Sequence, residues 1–321
     1  MTFAEFKRSM NFYLRFLHSF TRIGYSVRKL GWGKDNYDLT GQVWLVTGAT
    51  GGIGGATVLK ALEDGATVIA TARNPKKMEE LRQSAGKNTD RLIEEMVDLS
   101  LVSDTHAFTE RLAARPEKID VLVNNAGLLY REHSTTAEGF ETTYAVNILT
   151  HHQITESLIE NAKFNPDARI IEVTSGGMYN APANTVMMDQ KAKGFSGVAA
   201  YATHKRAQMV LTDLNREKYS QENLKFYCMH PGWVDTNAVK HGLPTFRTLL
   251  WPFLRNGPQG ADTINWIGAT APKEVVDQVW FDRKPRPTHY MAGSRKPIAT
   301  PEQIVAFLEK DIAKFIPDTA T

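Results

Sequence analysis

The chain has 321 residues, of which 42% are hydrophobic and 23% charged. A core of that size needs no disulfide or metal staple, and so apolar a composition excludes a disordered chain. The single cysteine, Cys228, excludes an intrachain disulfide framework, and a bulk charge of +3 with a pI near 8.8 singles out neither nucleic acid nor membrane as a partner.

The charge is unevenly placed. Residues 1–30 hold six basic side chains against one acid, a net +5, leaving −2 on the other 291 residues. Phe3, Phe6, Met10, Tyr13, Leu17 and Phe20 recur at spacings of three and four, one face of a helix, with Arg8, Asn11, Arg15, His18 and Arg22 opposite. Three readings fit such a helix: it lies on a membrane surface, it packs on the fold or on a second subunit, or it is an organelle transit peptide. No apolar run reaches the roughly 18 residues of a membrane span. An intracellular protein is expected, cytoplasmic or held peripherally at an organelle membrane such as the mitochondrial one.

From about residue 41, short β-branched runs alternate with amphipathic stretches. Strands are predicted over 43–47, 67–71, 91–97, 120–124, 169–174, 225–229 and 278–281. Helices are predicted over 53–64, 76–86, 103–114, 138–162, 200–219 and 258–270. This alternation implies βαβ crossovers, hence an α/β fold: a doubly wound parallel sheet, Rossmann-like, in a three-layer αβα arrangement with an added N-terminal amphipathic helix. The expected organisation is a helical extension over 1–40 and one nucleotide-binding domain over 41–321.

Thr47-Gly48-Ala49-Thr50-Gly51-Gly52-Ile53-Gly54 follows the first strand and opens a helix. Glycines let such a turn close on a pyrophosphate, and the helix N-terminus offers free N–H groups to the anion. At the end of the second strand, where an acid would bind a ribose 2′-OH, the chain reads Ala70-Thr71-Ala72-Arg73-Asn74, with Lys76 and Lys77 following. An arginine there suits a 2′-phosphate, so NADP(H) is the expected cofactor.

Asn124-Asn125-Ala126-Gly127 ends the fourth strand, Ser175 the fifth, and Pro231-Gly232-Trp233-Val234-Asp235-Thr236 follows the sixth. Tyr201 and Lys205 fall on one helix face at i and i+4. Carbonyl reduction needs a hydride and a proton for the nascent alkoxide. Tyrosine titrates near 10, and a neighbouring ammonium favours phenolate, so Lys205 is expected to lower the Tyr201 pKa. Ser175 can hold the substrate oxygen as charge develops. His151-His152 lacks partners for a metal site, so no metal is expected, and Cys228 reads as a buried inert thiol. No motif supports nucleic-acid binding.

In combination these motifs resemble the short-chain dehydrogenase/reductase superfamily over about residues 41–283. The resemblance implies a catalytic set of Asn147, Ser175, Tyr201 and Lys205. Tyr201 is the acid/base, Lys205 also grips the nicotinamide ribose, and Asn147 organises a relay water. It implies a cofactor site of Gly48, Thr50, Gly52, Ile53, Gly54, Arg73, Asp98, Asn125, Ala126, Gly127, Tyr201, Lys205, Pro231, Gly232, Val234 and Thr236. Within that set Asp98 meets adenine, Asn125 the ribose region and Thr236 the carboxamide. A closer resemblance, to an orphan subgroup, rests on Ser175-Gly176-Gly177-Met178, Met229-His230-Pro231-Gly232-Trp233, Gly260-Ala261-Asp262-Thr263, Asp282-Arg283-Lys284-Pro285 and the Gly24-Tyr25 step.

Ser175 and Tyr201 are 26 positions apart, about twice the common spacing, and the extra stretch over 180–198 is similar to the insert of retinol-dehydrogenase-like members. With the apolar segment 237–257 it is expected to wall the substrate mouth, for an apolar carbonyl or alcohol of retinoid, steroid or long-chain type. The competing reading is a nucleotide-bound accessory protein using the fold as an interaction module. Homo-oligomers are a further expectation, since members pair through the long helices expected here over 100–115, 138–162 and 200–219.

Overall fold

The computed structural model describes residues 15–33 and 35–316. Its centre is an eight-stranded sheet: β1 (Val43–Val46), β2 (Thr67–Ala72), β3 (Leu92–Met96), β4 (Ile119–Asn124), β5 (Phe164–Val173), β6 (Lys225–Met229), β7 (Gln278–Phe281) and β8 (Lys284–Pro287). Their spatial order is β3-β2-β1-β4-β5-β6-β7-β8, with the first seven parallel and β8 antiparallel to β7. Strand order reverses between β1 and β4, so their carboxyl ends open the crevice where such sheets bind ligands.

Alternation along the strands feeds two cores. Trp44, Val46, Val121, Val123 and Tyr227 face one layer, while Leu45, Leu122, Ile170 and Phe226 face the other. An N-terminal helix, α1 (Arg22–Lys29), precedes the sheet. The first layer holds α2 (Gly52–Glu63), α3 (Pro75–Ala85) and, across the sheet centre, the later helix over residues 257–270. The second holds α4 (Val102–Ala113), α5 (Thr150–Glu160) and α6 (Gly197–Lys218). The expected α/β three-layer fold is therefore present.

Several elements depart from the sequence expectation. The helix expected over 138–162 begins at Thr142 and carries a π turn, Ala145–Leu149, before α5. The segment expected to be loop over 237–257 forms α7 (Asn237–Gly242) and α8 (Pro244–Leu250), then α9 (Gly257–Thr270) follows, and α10 (Pro301–Ile312) closes the chain. Strand β8 was not expected either. It forms because Asp282 and Arg283 take φ of 49° and 59°, the paired left-handed geometry of a two-residue hairpin turn.

The predicted N-terminal face is corrected where it is described; Phe3, Phe6, Arg8, Met10, Asn11 and Tyr13 lie outside the described residues. Residues 15–20 are helical, Thr21 breaks the run, and α1 follows. The buried pair is Phe16 and Phe20, whereas Leu17 is 40% exposed. The rings of Phe16 and Phe20 stack at 4.3 Å, and Phe20 meets the rings of Phe281 at 5.1 Å and Trp233 at 5.8 Å. Among the described residues no helix is long and apolar enough to cross a membrane.

Candidate active site

The turn after β1 shows why its glycines are needed. Gly48 sits at φ +62°, and a Cβ there would lie 2.9 Å from the Ala126 Cα. A Cβ on Gly54 would lie 2.3 Å from the Gly48 carbonyl oxygen and 2.5 Å from Asn125 Nδ2. The turn is tied to the end of β4 through Thr47 Oγ1, which accepts from the backbone N–H groups of Asn125 (2.9 Å) and Ala126 (3.0 Å). Asn125 Nδ2 donates to the Thr47 carbonyl at 2.8 Å. A bare backbone cradle at the N-terminus of α2 is thus held open.

The residues at the adenine end diverge in role. Asn74 caps α3, its Oδ1 accepting from Lys77 N at 3.2 Å, and Lys77 lines the crevice while Lys76 does not. Arg73 is 55% exposed on its side chain, with Nη1 4.0 Å from Asp98 Oδ1. No carboxylate stands at the end of β2 itself.

At the opposite end, Ser175 lies two residues past β5, and its Oγ accepts from Gly177 N at 3.2 Å. Tyr201, the fifth residue of α6, is half-buried against Gly177. One turn on, Lys205 is buried and its Nζ donates to the Val173 carbonyl at 2.9 Å. Thr174 Oγ1 donates to the Lys205 carbonyl, so the strand end and the helix are locked together. Gly127 faces both the Lys205 ammonium and Asn147 Oδ1.

The electrostatics differ from the expected lowering of the tyrosine pKa. Burial raises Tyr201 above its ordinary value of 10.0, and the Ser175 hydroxyl opposes that only in part. Lys205 lies 5.7 Å from the ring centroid, with one of its three donors given to the Val173 carbonyl, so it does not dominate. Burial pushes Lys205 itself down to about 8, with the Glu172 carboxylate opposing. Glu172 was missed in the sequence. It accepts from Asn124 Nδ2 and, at 2.6 Å, from Gln208 Nε2 behind the lysine.

A single cavity of about 1020 Å³ runs from the glycine turn to Tyr201. Every expected cofactor residue lines it, from Gly48 through Arg73 and Asp98 to Thr236, as do Ser175, Tyr201 and Lys205. Asn147 does not. It sits in the π turn one layer behind, taking the Leu128 N–H on Oδ1 (2.7 Å) and giving Nδ2 to the Leu128 carbonyl (2.8 Å). The Thr236 hydroxyl oxygen caps α7, accepting from Val239 N at 3.3 Å. The mouth is walled by Pro182, Met187 and Val198 from the insert and by Val239 of α7, Leu243 at the α7–α8 junction and Phe246 of α8. His151 and His152 lie buried under the sheet, where burial holds both below the ordinary imidazole value. Cys228 is buried, with its thiol pushed well up.

A Rossmann-like sheet with this turn and this Ser–Tyr–Lys end defines a nucleotide-dependent dehydrogenase fold. The short chain dehydrogenase family profile matches residues 42–244, and the chain belongs to that family of NAD(P)-dependent oxidoreductases. The subgroup expected from its motifs is borne out. Dehydrogenase/reductase SDR family member 12 from Bos taurus is 33% identical over 319 residues, covering 96% of this chain and 98% of its own. Retinol dehydrogenase 12 from Homo sapiens is 32% identical over 251 residues, 74% of this chain and 77% of its own. A solved short chain dehydrogenase from Shigella flexneri complexed with NADP superposes with a TM-score of 0.58 at 21% identity, covering 74% of this chain and 95% of that one.

Proposed function

We propose that the protein is an NADP(H)-dependent oxidoreductase that interconverts a carbonyl and an alcohol on an apolar substrate, with Tyr201 as general acid/base. The observation that carries this reading is the single cavity with the glycine cradle at one end and Ser175, Tyr201 and Lys205 at the other. The cradle fits a dinucleotide because Gly48 and Gly54, where a Cβ would strike Ala126, the Gly48 carbonyl or Asn125, let the turn close tightly with bare backbone at the N-terminus of α2. Arg73 and Lys77, with no acid at the end of β2, favour a 2′-phosphate over a bare ribose. The apolar mouth, together with relatives named retinol dehydrogenases, favours a lipophilic substrate.

The bound cofactor supplies the hydride. In the reductive direction, burial keeps the Tyr201 phenol protonated at neutral pH, ready to give its proton to the substrate oxygen. Ser175 Oγ already accepts from Gly177 N, which leaves its own proton to point at that oxygen. The Lys205 ammonium, charged below about pH 8, stabilises the phenolate left behind. Arg73, Asp98 and Asn125 bind the adenosine half, while Pro231, Gly232, Val234 and Thr236 enclose the nicotinamide half.

NADPH consumption over a panel of lipophilic aldehydes and ketones tests this reading, with wild type compared against Tyr201→Phe. Turnover of at least one carbonyl by wild type and loss of about 10²-fold or more in the variant are expected. Tight NADPH binding without turnover of any member returns the protein to the accessory reading.

A further inference from the structure

The N-terminal segment meets the active site from behind. The helix over 15–20 breaks at Thr21, and the carbonyls of Ser19 and Phe20 at its end reach the body of the fold. Phe20 O accepts from Trp233 N at 2.9 Å and from Arg255 Nε at 3.0 Å. Ser19 O accepts from Arg255 Nη2 at 3.1 Å. Arg255 is 1% exposed and uses all five of its donors, the remaining three going to Pro231 O (3.1 Å) and to both Asp282 carboxylate oxygens (2.6 and 2.8 Å). Its backbone clasps the same loop, N–H to Trp233 O and C=O from Asp235 N. Gly24 is glycine because a Cβ there would lie 2.3 Å from the His18 carbonyl oxygen, so the two helical pieces cross tightly.

Phe20 also touches both halves of the catalytic surface. A Cβ on Gly176, next to Ser175, would lie 2.7 Å from the Phe20 ring. A Cβ on Gly232, next to Pro231, would lie 2.8 Å from Phe20 O and 2.7 Å from Arg255 Nε. The subgroup motifs thereby acquire a physical role. Asp282 accepts from Arg28 Nε (2.6 Å) as well as from Arg255, and Asp262 accepts from Tyr25 Oη (3.1 Å) and Arg283 Nε (2.8 Å). The left-handed Asp282-Arg283 turn is held by these pairs.

We infer that residues 16–28 together with Arg255 form a brace in which Phe20 and Arg255 are positioning residues, holding the 231–236 loop and the Ser175 turn at the spacing that the nicotinamide half of the cofactor needs. The inference rests on the cofactor site proposed above. Without the brace, the loop keeps Gly232 N on His230 Nδ1 at 3.4 Å but loses the Phe20 acceptor that anchors Trp233.

Arg255→Lys in the full chain tests this, because lysine keeps the charge facing Asp282 but cannot span five acceptors. NADPH affinity should fall by about tenfold or more, with loss of the enhanced nicotinamide emission of the bound state. Binding of 2′,5′-ADP, the adenine half alone, should stay within about twofold of wild type. Equal weakening of both ligands, or of neither, overturns the brace. Hydrogen exchange on the unmodified chain gives the answer independently of how well the variant folds. NADPH should slow the amides of 231–236 and those of 16–25 together, and slowing confined to 231–236 overturns the proposal. A wild-type chain preferring NADH refutes only the NADP(H) reading, and the brace is then measured with NADH and ADP in the same two assays.

Discussion

Lys205 is a buried ammonium, and replacing it by methionine should stabilise the chain at neutral pH while disabling it. Burial lowers its pKa from 10.5 to about 8 in the folded chain. That depression of about 2.5 pH units corresponds to about 3 kcal/mol of preference for the neutral amine. Because the folded value lies below the unfolded one, the burden on stability is full below pH 8. It shrinks between pH 8 and 10.5 and is absent above that. Methionine keeps the aliphatic stem but forfeits the bond to Val173 O, a loss of about 1 kcal/mol. Lys205→Met should therefore be about 2 kcal/mol more stable than wild type at pH 7 and close to even by about pH 10. Glu172 opposes the depression, so Glu172→Gln should deepen the penalty and lower the pH at which it begins to fade. Urea unfolding followed by tryptophan fluorescence at several pH values measures both. A methionine variant less stable at pH 7, or a difference that does not change with pH, refutes the reasoning.

Arg73→Ala should weaken NADPH by roughly 10- to 100-fold, the value of a charge-assisted contact, and NADH by less than about twofold; equal losses in parallel titrations remove the 2′-phosphate assignment. Gly54→Ala places a methyl 2.3 Å from the Gly48 carbonyl oxygen, so calorimetry should find dinucleotide binding abolished and the fold weakened by about 1–3 kcal/mol. The outward side of the N-terminal helices carries exposed Leu17, Ile23, Val27 and Leu30 beside exposed Arg15, Arg22 and Lys29. The full chain should float with vesicles of anionic phospholipid, and replacing those four apolar residues by serine should abolish it. A wild-type chain that ignores the vesicles leaves that surface without a membrane role.

What was legible in the sequence was whatever is local or periodic. Alternating β-branched runs placed seven strands, because residues buried on both faces of a parallel sheet must be apolar in unbroken runs. The glycine turn, Ser175 and the i, i+4 pair of Tyr201 and Lys205 could be read because each is a short motif with one geometric purpose. Illegible were contacts between distant residues whose side chains look ordinary alone. Glu172 is one acid in a strand, and only the fold sets it behind Lys205. Asn147 carried a role by resemblance, and only the fold shows that its side-chain amide, within a π turn, bonds both backbone groups of Leu128. The N-terminus misled most. Spacings of three and four placed Leu17 and Phe20 on the apolar face; the structure buries Phe20 as expected but puts Phe16, not Leu17, beside it. Its basic charge read as a surface signal, but Arg28 is drawn inward by Asp282, 254 positions away. A net charge counts side chains without saying which are already paired. The +5 of residues 1–30 is thus partly an internal quantity, and the same segment that suggested a docking tag supplies the carbonyls on which Trp233 and Arg255 rest.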